Sequence, residues 1–160
     1  MEARKVLFIT VFITLSMIIA LSVYYLNTPL SGKTCTGQIA YRVSQTGGDP
    51  SYIIEHAIKF GTVTSGYDNI RGEFFKGMNK YKISRTLQFS LTSLESNTLL
   101  EYRIGSVHKF SDDTMPEELT NKYMTFLAAN VSRMIHIQKL GHGLLLISDT
   151  GGPSFVCQSQ

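Results

Sequence analysis

The chain has 160 residues, with 17% charged side chains and a formal net charge of +3 from 15 basic and 12 acidic residues. That length accommodates one domain of ordinary size plus one apolar segment. The two signs of charge are interspersed, which excludes a basic stripe for nucleic acid. With two cysteines, four histidines, no CxxC and no spaced histidine pair, the chain offers no zinc-type ligand set; neither a metal nor a cofactor is expected.

The first predicted element is an apolar helix. No residue from Val6 to Leu26 is charged, and at about 1.5 Å per residue such a helix crosses the roughly 30 Å core of a bilayer. Arg4 and Lys5 stand before it, so the positive-inside rule predicts a cytoplasmic N-terminus and an exported remainder. Tyr24 and Tyr25 fall where an aromatic belt meets the outer interface. The rival is a cleaved signal peptide with a small-residue site at Ala20-Leu21-Ser22. The apolar run exceeds the about 7–15 residues of an h-region, which favours a retained anchor. The expected organisation is a stub at 1–5, a transmembrane helix at 6–26, a linker at 27–34 and an exported β-rich domain at 35–160.

Period-two patterning begins at Cys35. In "CTGQIAYRV", Cys35, Ile39, Tyr41 and Val43 share one face and Thr36, Gln38 and Arg42 the other. "SQTGGDP" breaks the run. "YIIEHAIKFGTVTSG" reads as one strand, its helical ambiguity resolved by Val63 and the threonines around it. "RGEFFKG" follows, then a tight turn at Gly77-Met78-Asn79. In "YKISRTLQFSL", Tyr81, Ile83, Leu87, Phe89 and Leu91 oppose Lys82, Ser84, Thr86, Gln88 and Ser90, while Arg85 interrupts the apolar face, paired inside or at a rim. After a turn in "SLESN", "TLLEYRIGSVHKF" returns. The connections are too short for parallel crossovers, so the hairpins are antiparallel.

One helix is expected in "DDTMPEELTNKYMTFL". Thr114 and Glu117 have capping-box spacing, Pro116 sits in the first turn, and Leu119, Tyr123, Phe126 and Leu127 form a stripe suited to covering a sheet. The pairs Asp112-Asp113 and Glu117-Glu118 are accounted for as N-terminal helix charge. "SRMIHIQKL" turns at Gly141-His142-Gly143 into "LLLIS", and after "DTGGP" the last strand, "SFVCQ", presents Cys157. The fold expected is mainly β: an antiparallel sheet of about seven or eight strands curled into a small lipocalin-like barrel, packed with one helix. An open sheet with a packed helix is the alternative.

In a sheet that closes on itself the first and last strands become neighbours. Cys35 and Cys157 then fasten the seam as a disulfide, which an oxidising compartment lets persist; two buried free thiols are the alternative. No catalytic residue is assigned. Ser106 and Lys109 match S-x-x-K, but on a strand they point to opposite faces. G-x-S-x-G, a phosphate loop and HExxH are absent from the sequence. His56, His108, His136 and His142 are each read as surface or core residues. A barrel lined by Tyr41, Tyr81, Phe89 and Tyr102 could hold a small ligand, with a core filled by side chains as the competing expectation.

An N-terminal anchor, Cys35 shortly after it, the hairpin around "KISRTLQFSL", the segment "DDTMPEEL" and Cys157 before a final glutamine together resemble the FidL-like family of small bacterial inner-membrane proteins. The resemblance implies a single-pass inner-membrane protein with a periplasmic C-terminal domain. It also implies a non-enzymatic role similar to ToxS-type companions, which support the periplasmic domain of a membrane-bound transcription regulator of the CadC/ToxR type. An envelope sensor holding a small amphipathic ligand in its barrel is the other expectation. The partners expected are thus the bilayer and such a regulator, and no nucleic acid.

Overall fold

A computed structural model describes residues 2–26, 32–42, 50–62, 64–96, 98–150 and 155–160, of which 2–8, 23–26, 95 and 96 are described by backbone alone. The chain divides into two compact units, one ending at Ser31 and the other spanning Gly32–Gln160.

The first unit is helix α1, Glu2–Leu26. From Ile9 to Leu21 its large apolar side chains are exposed, Phe12 at 73% and Leu21 at 49%. Among the described residues no helix is long and apolar enough to cross a membrane, so the structure does not support the span expected at Val6–Leu26. Most of the linker expected at 27–34 lies outside the described residues.

The second unit is a closed antiparallel barrel of eight strands in sequence order. They are β1 (Thr34–Arg42), β2 (Ser51–Phe60), β3 (Ser65–Lys76), β4 (Asn79–Ser96), β5 (Leu99–Lys109), β6 (Ser132–Gly141), β7 (Leu144–Asp149) and β8 (Phe155–Ser159). Closure runs through β1 and β8, where Cys35 faces Ser159 and Thr36 faces Gln158. Beside this seam the Cys35–Cys157 disulfide joins strands whose Cα atoms lie 5.4 Å apart. The two-residue turns fall where the glycines predict: Gly77 has φ 60°, and His142 and Gly143 have φ 50° and 77°, the left-handed pair that suits a tight hairpin.

Three elements differ from the sequence expectation. The segment 52–66 is two strands, because β2 ends at Phe60 and the chain turns through Gly61 and Thr62, both of whose N–H groups donate to Ser65 O. The helix expected through 127 is broken: α2 spans Glu117–Tyr123, and after Met124 a single 3-10 turn covers Thr125–Leu127. No side chain caps α2. Thr114 instead accepts the Lys82 N–H at 2.8 Å, tying the segment before the helix to β4. Finally, Tyr41 is 45% exposed, on the last turn of pairing with β2, where it stacks on Tyr52 at 5.1 Å rather than entering the core. Val43 and the glycine-rich breaks at 44–49 and 151–154 lie outside the described residues.

The helix stripe packs as predicted. Leu119, Tyr123 and Phe126 lie against a core of Ile39, Tyr52, Ile54, Ile70, Phe74, Ile83, Leu87 and Ile104, joined by buried Met115, Met124 and Leu127. Arg85, the residue that interrupts the apolar face of β4, is 2% exposed and paired inside. Its Nε donates to Asp113 Oδ2 at 2.8 Å and its Nη2 to Thr120 Oγ1 at 3.1 Å, with Glu117 Oε1 3.0 Å away. Asp113 also accepts the N–H groups of Ser84 and Met115, each at 3.0 Å. Burial alone would raise the Asp113 carboxyl, but these hydrogen bonds and the guanidinium charge hold it below its usual value. Asp113 is therefore the acceptor that seats the α2 segment, and helix N-terminal charge does not account for it.

Candidate functional site

Every second residue of β2 points inward: Tyr52, Ile54, His56, Ile58 and Phe60 are buried, with their neighbours largely exposed. His56 is the one polar ring in that series. The same parity on β3 buries Asp68 with Ile70 and Phe74. Pairing sets Asp68 opposite Ile58 and His56 opposite Ile70, and across the pair His56 Nδ1 lies 2.7 Å from Asp68 Oδ2. The carboxylate accepts the Nδ1 proton, and Nε2 is the buried second nitrogen of the ring.

A second pair stands on β6 and β7. Arg133 Nη1 donates to Asp149 Oδ2 at 2.7 Å, Nη2 donates to Thr125 Oγ1 at 3.3 Å, and the guanidinium carbon lies 5.8 Å from the Phe126 ring centroid. Between the two pairs is Tyr102 of β5, directly opposite Arg133 in the sheet and packed on Phe89 with ring centroids 4.9 Å apart. Burial raises the Tyr102 phenol strongly, the negative charge of Asp68 raises it further, and Arg133 offsets part of this. One hydroxyl thus senses both pairs.

These groups line a cavity of about 90 Å³ inside the barrel. Its wall is otherwise apolar, with Ile39, Ile58, Phe60, Ile70, Leu87, Leu91, Ile135, Ile137, Ile147 and Phe155 contributing, and the His56 ring stacks on Phe155 at 5.0 Å. Among the described residues, three buried polar atoms of lining residues have no protein partner: His56 Nε2, Asp68 Oδ1 and Arg133 Nε. Buried polar atoms are nearly always satisfied, so such a group calls for an explanation at each position. Among the described residues the lining holds no serine, threonine, cysteine or lysine. The His56 ring is held between Asp68 and Phe155.

Of the four residues expected to line a ligand space, the structure brings Phe89 and Tyr102 to the cavity. Tyr81 packs on the core at the helix side, 6.3 Å from Phe74. Tyr41 borders a separate surface depression with Tyr52 and Phe75, and burial pushes the Tyr52 phenol up to about 12. Ser106 is exposed and donates to Gln88 Oε1 at 3.2 Å, while Lys109 Nζ reaches Met115 O, so the S-x-x-K pair is split between two faces. Sequence reasoning missed His56, Asp68, Arg133 and Asp149. The signal available was parity, since His56 and Asp68 each occupy an inward position among apolar residues.

Residues 72–157, more than half of the chain, match the family described as "FidL-like putative membrane protein". The chain belongs to the FidL-like family. The matched region begins within β3 and ends at Cys157, so it takes in most of the barrel, the α2 segment and the second cysteine of the disulfide. No curated protein matches the sequence.

Proposed function

We propose that this FidL-like protein is a non-enzymatic, membrane-tethered sensor whose barrel binds a small amphipathic ligand. The observation that carries this reading is the cavity: an apolar wall interrupted by His56, Asp68, Tyr102, Arg133 and Asp149. Interior sites of this composition suit ligands that bury an apolar body and orient it through a few polar groups. In this reading α1 seats the chain in the inner membrane with the N-terminus cytoplasmic and the barrel in the periplasm. The exposed apolar side chains of α1, Arg4 and Lys5 before them, the disulfide and the membrane description of the family support that topology. Occupancy is then passed to a partner in the same membrane, for which the resemblance to companion proteins suggests the periplasmic domain of a transcription regulator.

The test is to extract the intact protein in mild detergent, denature it after washing, and analyse the released small molecules by mass spectrometry. A compound retained by the folded protein and released by denaturant is expected. Recovery of none, from protein whose disulfide and fold are intact, would count against a resident ligand. In the same membranes, photo-crosslinkers on the barrel surface should capture a membrane-bound regulator; capture of no specific protein refutes the companion role.

A further inference from the structure

The strands run antiparallel in sequence order, so one end of the barrel gathers the start of β1 and the β2–β3, β4–β5 and β6–β7 turns. The chain enters the barrel at that end, where Gly32 N–H donates to Phe60 O at 2.8 Å. We propose that this end docks on an anionic lipid surface, with Lys33, Lys59 and Lys139 meeting headgroup phosphates and Leu94 and Leu140 entering the interface. The proposal rests on the membrane-tethered reading above and adds a second contact with the bilayer, made by the barrel itself.

Charge singles out this end. Lys33, Lys59 and Lys139 are exposed, and among the described residues none of the three forms an ion pair. The stretches 32–34, 59–67, 91–99 and 138–144 that build the end contain these three lysines and one acidic residue, Glu95. The opposite end carries basic residues as well, but there Lys80, Lys82 and Lys109 pair with Glu73, Asp112 and Glu117, and Glu118 adds a further acid. An excess of cations without partners is what an anionic surface attracts.

Two hairpins at the same end extend past their outer neighbours. Ser90 is the last residue of β4 paired with β3, yet β4 runs on to Ser96, and Leu94 on that extension is 43% exposed. His136 is the last residue of β6 paired with β5, yet β6 runs on to Gly141, and Leu140 is 48% exposed. Tyr67, directly across from Lys59, is also exposed and of the kind that settles at headgroup level. Apolar tips beside unpaired lysines suit a lipid interface, where buried apolar area and attraction to anionic headgroups add.

Reach favours a lipid surface over an acidic protein. In the tethered reading the five residues 27–31 join the membrane segment to Gly32, and five residues extend at most about 18 Å. The Gly32 end is therefore never far from the bilayer, and the tether keeps its local concentration there high enough for weak contacts to count. The nine residues of β1 span roughly 30 Å, so the opposite end stands well away when this end docks.

The chain has no tryptophan, so Leu94→Trp, Leu140→Trp and Met78→Trp each carry a single reporter. Met78 is fully exposed in the β3–β4 turn, at the opposite end. The full-length variants are placed in nanodiscs of brominated phosphatidylcholine, alone or mixed with equal brominated phosphatidylglycerol. In mixed discs the tryptophans at 94 and 140 should be quenched and the one at 78 should not. Replacing the lysines by Lys33→Gln, Lys59→Gln and Lys139→Gln should lower the docked-to-free ratio roughly fivefold per lysine. Equal quenching at 78 and 140, or none at 94 and 140, would overturn the docking while leaving the tether intact. Quenching that ignores both phosphatidylglycerol and the lysine substitutions would overturn the anionic surface. Release of the protein from membranes by alkaline washing would overturn the tethered reading itself, and the proposal with it. Should a tryptophan variant fail to fold, hydrogen exchange of the unaltered chain decides. The β2–β3 and β6–β7 turns should exchange more slowly in mixed discs than in phosphatidylcholine alone, and equal rates would overturn the proposal.

Discussion

Asp113→Ala is the substitution whose cost the structure specifies most fully. The carboxylate accepts Arg85 Nε at 2.8 Å and the N–H groups of Ser84 and Met115 at 3.0 Å, and its side chain is fully shielded from solvent. Removing it leaves a guanidinium that is 2% exposed, with the half-exposed Glu117 as its nearest remaining negative partner. Breaking one side of a buried pair costs about 3–5 kcal/mol, and two buried N–H groups left without acceptors keep the value toward the upper end. A domain of this size loses roughly 3–5 °C per kcal/mol, so the barrel melt should fall by about 10–20 °C.

The assay is thermal unfolding of the detergent-solubilised protein followed by near-ultraviolet circular dichroism, which reports the packed tyrosines of the barrel and not the helicity of α1. Arg85→Met should cost less than Asp113→Ala, because the carboxylate it leaves still accepts the Ser84 and Met115 N–H groups and has Lys109 Nζ 3.4 Å away. The double variant Arg85→Met with Asp113→Leu should recover part of the loss, as apolar replacements of buried ion pairs do. A drop of less than about 2 °C for Asp113→Ala, or strict additivity in the cycle, would refute the assignment of Asp113 as the anchor of the α2 segment.

The same carboxyl predicts a pH dependence. Its folded value is lowered, so the stability it supplies is complete above the ordinary aspartate range near about pH 4 and is lost as pH falls through the folded value; acid melts of wild type should steepen there and those of Asp113→Asn should not. Cys35→Ala, Cys157→Ala and the double variant should lose equally, about 5 kcal/mol for a bridge of 122 residues' separation in the chain-entropy account, and additive single losses in denaturant titrations would contradict this. Gly72→Ala should destabilise by about 1–3 kcal/mol or more, because a Cβ there meets Ile53 O and lies 2.7 Å from Ile54 Cα, both backbone atoms of β2. Replacing His56 by Phe together with Asp68 by Leu should leave the melting temperature level or raise it, and a large fall in melting temperature would make the pair structural.

The barrel was legible because its strands alternate cleanly and its connections are short. Ile83, Leu87, Phe89 and Leu91 are buried as their parity requires, and the left-handed residues of two hairpins fall at Gly77 and at His142-Gly143. Seam closure followed from two cysteines on the terminal strands. The site was not legible for a specific reason. With β2 and β3 read as one strand through Val63, the inward parity of β2 was never set against that of β3, and the pairing of His56 with Asp68 spans that misread turn. Arg133 and Asp149 were hidden differently, since their contact depends on the β6–β7 register, which a bulge between Lys139 and Gly141 shifts. Helix α2 was overextended because a periodic stripe does not reveal that Met124 leaves helical geometry, with φ −134° and ψ 49°, to bury its side chain.

The two buried charge clusters of the barrel differ in a way that separates structure from function. Around Arg85 the inventory closes: guanidinium, carboxylate, threonine hydroxyl and three backbone groups satisfy one another, and the cluster seats a segment that plugs the core. Around His56 it stays open: among the described residues His56 Nε2, Asp68 Oδ1 and Arg133 Nε have no hydrogen-bond partner. Each such atom costs about 1–3 kcal/mol when nothing meets it. Leucine or phenylalanine at the same inward positions would fill the cavity and avoid that cost, as the rest of the wall does. Structural need explains the first cluster completely and the second in part, through the pairs His56–Asp68 and Arg133–Asp149. In the proposed reading a guest that bound the folded barrel would stabilise it, so its occupancy should be measurable as a rise in the melting temperature.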